Sequence, residues 1–331
     1  MRPITYSRAD DTAGAVTTVS ADPTSDYLAG GTTQIDLLRR NVLTPRRLVD
    51  ITGLPLTGVE EAPDGGLRIG ALARMSEVAA SSLVRERFPA VAEALEAGAS
   101  PQLRHMATMG GNLMQRVRCP YFRDAVSPCN KRDPGTGCSA VEGFSRGHAV
   151  LGTSAHCIAA HPSDVAVALA ALDARVHTLG RRGEQAYGID DFFLTPAHTP
   201  HREHPLEHGE LITAIELPSA PVARRSVYLK VRDRASYEFA LASAAGALSL
   251  VDGTIADVRL ALGGVATKPW RAHRAEGVLL GAPATRDAFA EAARVELADA
   301  HPTRDNAFKV DLAQRVAVRV LETLTANGRT S

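Results

Sequence analysis

Apolar and polar positions along this chain follow two periods, and the switches between them outline its elements. ITYSRA reads as a short strand, and residues 10–20, with their alanines and valine, as a helix. Tyr27, Leu28 and Ala29 end a strand, two glycines follow, and Ile35, Leu37 and Leu38 then fall at helical spacing. GGLRIGALARM alternates as a strand does and leads into a helix, and Phe88-Pro89 opens another, AVAEALEAGAS. A β-capable stretch, LRHMATM, precedes a second glycine pair. Beyond residue 161, PSDVAVALAALDARVHTLG reads as helix then strand, RRGEQAYGIDDFFLTP as turn, strand and loop, and ELITAIELP as an alternating strand. The pattern breaks at residues 218–225. It resumes as strands around an Asp252-Gly253 hairpin turn, followed by helices over residues 284–298 and 306–326.

Two stretches carry candidate chemistry within this frame. Gly30-Gly31-Thr32-Thr33 and Gly110-Gly111-Asn112 each bring a glycine pair close to the start of a helix. Glycine lets a phosphate approach the backbone, and exposed amides at a helix start bind it. Either turn alone is also an ordinary turn, whereas two in one chain can hold the two phosphates of a pyrophosphate from opposite sides. Neither is a G-x-G-x-x-G fingerprint or a P-loop. Ser163 suits a helix start, and Asp164 in the first turn is a capping acid on spacing alone. Lys230 and Arg232 share one strand face, which reads as solvated, and so does the loop of residues 195–208 with its four histidines.

The cysteines change the picture. Cys119, Cys129, Cys138 and Cys157 all lie within residues 114–161, among turn formers and the cations Arg116, Arg118, Arg123, Lys131, Arg132 and Arg146. Thiols used as core residues would be scattered. Their confinement points to a shared metal group or to disulfides, and four thiolates can close a zinc site or bind a four-iron cluster. The gaps of nine, eight and eighteen residues contain no C-x-x-C knuckle. Nearby cations and the glycines at 135, 137 and 143 suit an anionic cluster, while zinc, disulfides and idle thiols stay open.

Lys plus Arg equals Asp plus Glu at 37 each, so no overall field favours nucleic acid. No run reaches the roughly 20 apolar residues of a membrane span. MRPITYSRADDTAG lacks an apolar h-region, so the chain is expected to be cytoplasmic by its own sequence.

LAGGTTQI, TMGGN, PSDVAVALAAL, ELITAIELP and YLKVRDR occur in this order, and with them the chain resembles the FAD-binding medium subunits of the molybdenum hydroxylases. That family includes xanthine dehydrogenase, aldehyde oxidoreductase and carbon monoxide dehydrogenase. The insertion CPYFRD…PCNKR…GTGCS…GHAVLG…HC resembles the bacterial periplasmic aldehyde oxidoreductase branch, whose medium subunit carries a [4Fe-4S] cluster. A xanthine dehydrogenase or benzoyl-CoA-reductase-like medium subunit is the alternative within the family. A non-enzymatic, zinc-stabilised interaction protein is the alternative outside it.

The resemblance implies an α+β fold. A vanillyl-alcohol-oxidase-type FAD domain of two α/β subdomains would occupy residues 1–55 and 56–220, with the iron–sulfur loop inserted at 114–161. A C-terminal domain of the CO-dehydrogenase flavoprotein type, a three-stranded sheet with helices, would occupy 221–331. Leu28, Ala29, Gly30, Gly31, Thr32, Thr33, Gln34 and Ile35 would wrap the pyrophosphate, with Thr108, Met109, Gly110, Gly111 and Asn112 as the second loop. Asp164 would bond ribityl or ribose hydroxyls, Ile212 would pack at the flavin through its backbone, and Lys230 would approach from the C-terminal domain. Cys119, Cys129, Cys138 and Cys157 would bind the cluster. The implied partners are a large molybdenum-cofactor subunit, a small subunit with two [2Fe-2S] clusters and an external electron acceptor. The chain itself then needs no general base. Export to the periplasm would rely on a signal borne by the small subunit.

Overall fold

The first unit is a parallel sheet, which requires helical crossovers between its strands. This computed structural model describes residues 2–327; Met1 and residues 328–331, at the ends of the first and last expected domains, lie outside the described residues. Strand β1 (Thr5–Arg8) leads to helix α1 (Thr12–Ala21), β2 (Ser25–Leu28), α2 (Gln34–Arg39) and β3 (Arg47–Asp50). The strands lie in the order β1-β3-β2. Asp11 starts α1 by accepting the amide of Gly14 at 2.7 Å. Ala15 and Val16 of α1 pack with Ile51, Leu54, Leu72 and Leu211, joining this unit to the next.

The second unit is an antiparallel five-stranded sheet in the order β4-β5-β8-β6-β7. Its first strands are β4 (Val59–Glu61) and β5 (Leu67–Gly70). Five short helices follow: α3 (Met75–Ala80), α4 (Ser82–Arg87), α5 (Pro89–Ala97), α6 (Pro101–Met106) and α7 (Met109–Leu113). The cysteine segment carries α8 (Pro120–Arg123) and α9 (Ser139–Glu142), and after it come α10 (Asp164–Ala171), β6 (Arg175–Gly180), β7 (Gly183–Gly188), α11 (Ile189–Phe192) and β8 (Leu211–Leu217).

Two expectations are corrected here. The stretch before the second glycine pair is α6 and not a strand, because Ser100 accepts the Leu103 amide as N-cap and Pro101 suits the first turn. β8 buries Leu211, Ile212, Ala214, Ile215 and Leu217, so it is a central strand covered on both faces and its alternation is broken.

Helix α10 is buried along its whole length, which explains why it is apolar all round. Its residues share one core with β5, β8 and the C-terminal strands β9 (Ser226–Val231), β10 (Ala242–Val251) and β11 (Thr254–Gly263). The hairpin turn falls at Asp252-Gly253 as expected, with φ of 50° and 76°, the left-handed pair of a two-residue turn. A two-residue strand, β12 (Trp270–Arg271), adds a fourth edge to the expected three. Helices α12 (His273–Leu279), α13 (Arg286–Glu296) and α14 (Phe308–Asn327) complete the chain, α12 being additional to the two expected. No helix among the described residues is long and apolar enough to cross a membrane.

Candidate functional site

The two glycine loops touch. A Cβ built on Gly30 would lie 2.0 Å from the carbonyl oxygen of Met106, so only glycine lets the 28–35 loop seat against the end of α6. Gly31 takes φ +70°, the left-handed region that a β-branched residue avoids. Thr108 caps α7, accepting the amide of Gly111 at 3.2 Å, and a Cβ on Gly111 would press on that hydroxyl at 2.8 Å. The second glycine pair therefore lies inside a short helix and not in a strand-to-helix turn.

Two cavities meet at these loops. One, of about 310 Å³, is lined by residues 29–34, Thr108, Gly110, Gly111 and Ile212, with Asp26, Tyr27, Leu206 and Glu210. The other, of about 570 Å³, is lined by Thr32, Thr33, Gly111, Asn112, Asp164 and Lys230, with Gly98, Arg118, Tyr237 and Phe239. Thr32, Thr33, Ala107, Gly111 and Gln115 border both, so the cavities form one cleft with a waist at the glycine loops. Leu28, Ile35 and Met109 line neither: Leu28 pairs with β3, Met109 is fully buried in the core, and Ile35 is partly exposed.

Hydrogen bonds fix the walls of the larger cavity. Ser163 caps α10 through the Ala166 amide and donates to Asn112 Oδ1 at 2.5 Å, tying the second glycine loop to the helix that begins at Asp164. Asp164 Oδ1 accepts from the Tyr228 hydroxyl at 2.5 Å, and Oδ2 accepts from Lys230 Nζ at 2.8 Å. Lys230 also donates to the Ala97 carbonyl at 3.2 Å, and Arg232 Nη1 does the same. The expected solvated face of β9 is thus an interface between the C-terminal sheet and α5. Asp164 is more than a capping acid, because it joins two strand residues to the cleft. Burial, with the Asp164 charge beside it, pushes the Tyr228 phenol far above its ordinary range, so it stays a donor.

The four cysteines border one small cavity, together with Val117, Phe122 and Ala159. All four are free thiols. Cys129 and Cys138 face each other across an antiparallel bridge, and Asn130 holds the turn between them by accepting the amides of Gly135 and Gly137 at 3.1 and 2.9 Å. Against a larger rise from burial, backbone groups of Phe122 and Tyr121 pull the Cys119 thiol down, and that of Ala159 the Cys157 thiol. Burial pushes the Cys119 thiol up to about 12, with Cys129 and Cys157 adding to the rise. Cys157 is raised in the same way, against the pull of Lys131. Such thiols give up their protons when a metal cation supplies the balancing charge. Among the described residues, no three His, Cys, Asp or Glu side chains are placed to hold a single metal ion.

The segment is better anchored than its composition suggests. Leu37, Val117, Phe122, Cys129, Cys157 and Ala159 form a small core. Asn306 and Lys309 of the C-terminal unit donate to the carbonyls of His148, Ala149 and Gly147. The surrounding cations are not a free surplus either. Arg116 and Lys131 pair with Glu203, Arg123 with Asp36, and Arg146 with Asp233. Arg132 donates to the carbonyls of Tyr121, Phe122 and Ser127. Arg118 alone of the six has neither kind of partner among the described residues.

The histidine loop is only partly solvated. His198, His201 and His208 are exposed, but His204 lies between Phe192 and Phe193, with ring centroids 4.8 and 5.3 Å away. Sequence reasoning missed Arg118, Gln115, Tyr237 and Phe239. Gln115 and Arg118 closely follow the second glycine pair in sequence, but nothing in the spacing aims either of them at the first.

Comparison with known proteins follows the same outline. Residues 2–220 match the family described as the FAD binding domain in molybdopterin dehydrogenase, and residues 227–324 the CO dehydrogenase flavoprotein C-terminal domain. The chain is 48% identical over 323 residues, 97% of its length and 98% of the other's, to the aldehyde oxidoreductase FAD-binding subunit PaoB of Escherichia coli (strain K12). It is 26% identical to the xanthine dehydrogenase FAD-binding subunit of Escherichia coli O157:H7, covering 97% of this chain and 96% of that one. A solved carbon monoxide dehydrogenase from Hydrogenophaga pseudoflava shares the fold, with a TM-score of 0.77 at 24% identity over 98% of each chain.

Proposed function

The chain belongs to the FAD-binding medium subunits of the molybdenum hydroxylases, and from that premise we propose that it carries electrons through FAD and a [4Fe-4S] cluster in an aldehyde-oxidising complex. The flavin would accept electrons singly from iron–sulfur centres and release them as a pair to an external acceptor. A large molybdenum-cofactor subunit would oxidise the substrate, and a small subunit with two [2Fe-2S] clusters would pass the electrons on. The far higher identity to the aldehyde oxidoreductase subunit than to the xanthine dehydrogenase subunit supports the aldehyde assignment.

The observation that carries the reading is the cleft itself. It is long, pinched at two apposed glycine loops, and has Asp164 and Lys230 at one end and Ile212 at the other. That shape suits an extended dinucleotide with its diphosphate at the waist. Thr32, Thr33, Gly111 and Asn112 would hold the diphosphate, Ala29, Gly30, Gly31, Gln34, Thr108 and Gly110 would shape the loops around it, and Asp164 would accept from hydroxyls of the ligand. Leu28, Ile35 and Met109 would position the loops from behind.

The thiol site fits a cluster better than zinc. Its four cysteines border one small cavity, and the segment has no C-x-x-C knuckle of the kind zinc sites use. The test is anaerobic purification followed by flavin, iron and sulfide analysis. The expected result is one FAD, released by acid, with about four irons and four sulfides per chain beyond those of any partner. Stoichiometric zinc without iron would overturn the cluster, and a colourless chain would overturn the flavin.

A further inference from the structure

We propose that Arg118 is the counter-charge of the dinucleotide's diphosphate, and that through it the order of the cysteine segment sets the affinity for FAD. The inference rests on the reading of the cleft as a dinucleotide site.

Arg118 immediately precedes Cys119, yet its side chain turns away from sulfur and toward the first glycine loop. Its Nη2 donates to Thr33 Oγ1 at 3.0 Å and to Gln115 Oε1 at 3.1 Å. Its Nε is closed off from solvent with no hydrogen-bond partner. The guanidinium rests 4.8 Å from the centroid of the Phe239 ring, on the wall of the larger cavity. Thr33 and Gln115, its two partners, both border the waist where the cavities meet.

Charge balance selects this residue from its neighbours. Among the described residues, Arg116 and Lys230 on the cleft walls are neutralised by Glu203 and Asp164. Arg234 has no carboxylate partner but is exposed. Arg118 is left as a half-buried cation whose two protein partners are both neutral. A guanidinium carries five N–H donors in a rigid fork, matched to phosphate oxygens. A buried hydrogen-bond donor without a partner is costly, so an anion arriving at the waist would satisfy both its charge and its Nε.

The link to the metal segment is covalent and short. Val117 is buried in the small core beneath the cysteines, and Cys119 borders their shared cavity. Arg118 is held between those two anchors, so freeing Cys119 loosens the base of the guanidinium. The cluster would then hold FAD without touching it.

The test uses the full chain, stripped of flavin and titrated with FAD, with ADP (which carries the diphosphate without the flavin) and with riboflavin (which lacks it). Arg118→Gln should weaken FAD and ADP about equally, by roughly 10- to 100-fold, as expected for losing a charge-assisted bond. Riboflavin binding and iron content should not change, and Arg118→Lys should recover part of the loss. Cys138→Ser should lose iron and weaken FAD, and adding Arg118→Gln to it should change little more. An FAD affinity within twofold of wild type in Arg118→Gln would overturn the proposal. So would an equal loss for riboflavin, or loss of iron from that variant. A wild-type chain that takes up ADP but no flavin would sink the reading of the cleft while leaving the arginine's role supported. A chain that takes up neither would sink both.

Discussion

Lys230 Nζ lies 2.8 Å from Asp164 Oδ2, and their side chains are only 4% and 9% exposed. From the sequence, truncating Asp164 should remove one charge-assisted hydrogen bond of about 1.5–3 kcal/mol. The pairing raises that figure, because the lysine would be left as a buried unpaired cation, at about 3–5 kcal/mol. Asp164→Ala should therefore lower the thermal midpoint of the whole chain as well as its flavin content. Asp164→Leu combined with Lys230→Met should regain most of the stability and none of the flavin. Equal midpoints for Asp164→Ala and wild type would show the pair to be unimportant to folding.

Gly30 tests the apposition of the loops directly. Gly30→Ala places a methyl group 2.0 Å from the Met106 carbonyl, a backbone atom with no rotamer to escape into. The loops should part and flavin content should fall to near zero, with little change in iron. Gly31→Val should act alike through its left-handed φ, and Gly111→Val through the Thr108 cap. Full flavin in all three variants would reduce the loops to ordinary turns.

Metal removal should disorder part of the cysteine segment and spare the rest. Residues 145–149 are held by Asn306, Lys309, Thr303 and Asp305, whereas residues 124–143 are tied in by the thiol site, by Arg132 and by the bonds of Asn130 and Lys131 to His156, Pro200 and Glu203. Chelation after reduction, or Cys138→Ser, should open new protease cuts within 124–143 only. Mass mapping that found cuts throughout 114–161 would contradict this.

Acid should weaken the fold through two buried imidazoles. Burial holds His204 down to about 4 and His161 down to about 3, against about 6.5 in an unfolded chain. Glu203 pulls both upward, while Arg116 and Lys131 push His204 down and Lys131 pushes His161 down. With folded values below the unfolded one, the unfolded chain binds more protons from about pH 6.5 down to about 4 through His204 and down to about 3 through His161. Their contribution is complete above pH 6.5 and is lost as pH falls through that window. His204→Gln should flatten the acid limb of a melting-temperature profile there, and an unchanged limb would place the titration elsewhere.

Local chemistry made some elements legible and hid others. Asp252-Gly253 and Ser163 announce a turn and a helix start, because each meets a need of its own backbone. LRHMATM misleads, because the capping pair Ser100-Pro101 lies just outside it and outweighs the β propensity of its apolar residues. The glycine loops were visible as glycines, but their contact through Met106 is a tertiary fact that no spacing encodes. The thiols could be grouped from their confinement. The disposition of the cations could not, since Glu203 and Asp233 reach Arg116, Lys131 and Arg146 from distant parts of the chain.

The anchoring of the cysteine segment has a consequence for how the protein is made. Gly147, His148 and Ala149 receive their hydrogen bonds from Asn306 and Lys309, some 160 positions later. Val150 and Leu151 likewise take their backbone partner from Val265. A ribosome must therefore have translated past Lys309 before the segment gains its final support. Until then the thiols emerge on a tether with one end unsecured. Any metal group that these thiols take would find its socket finished only after Asn306 and Lys309 have emerged, and a nascent chain truncated before residue 306 should present the four thiols without it.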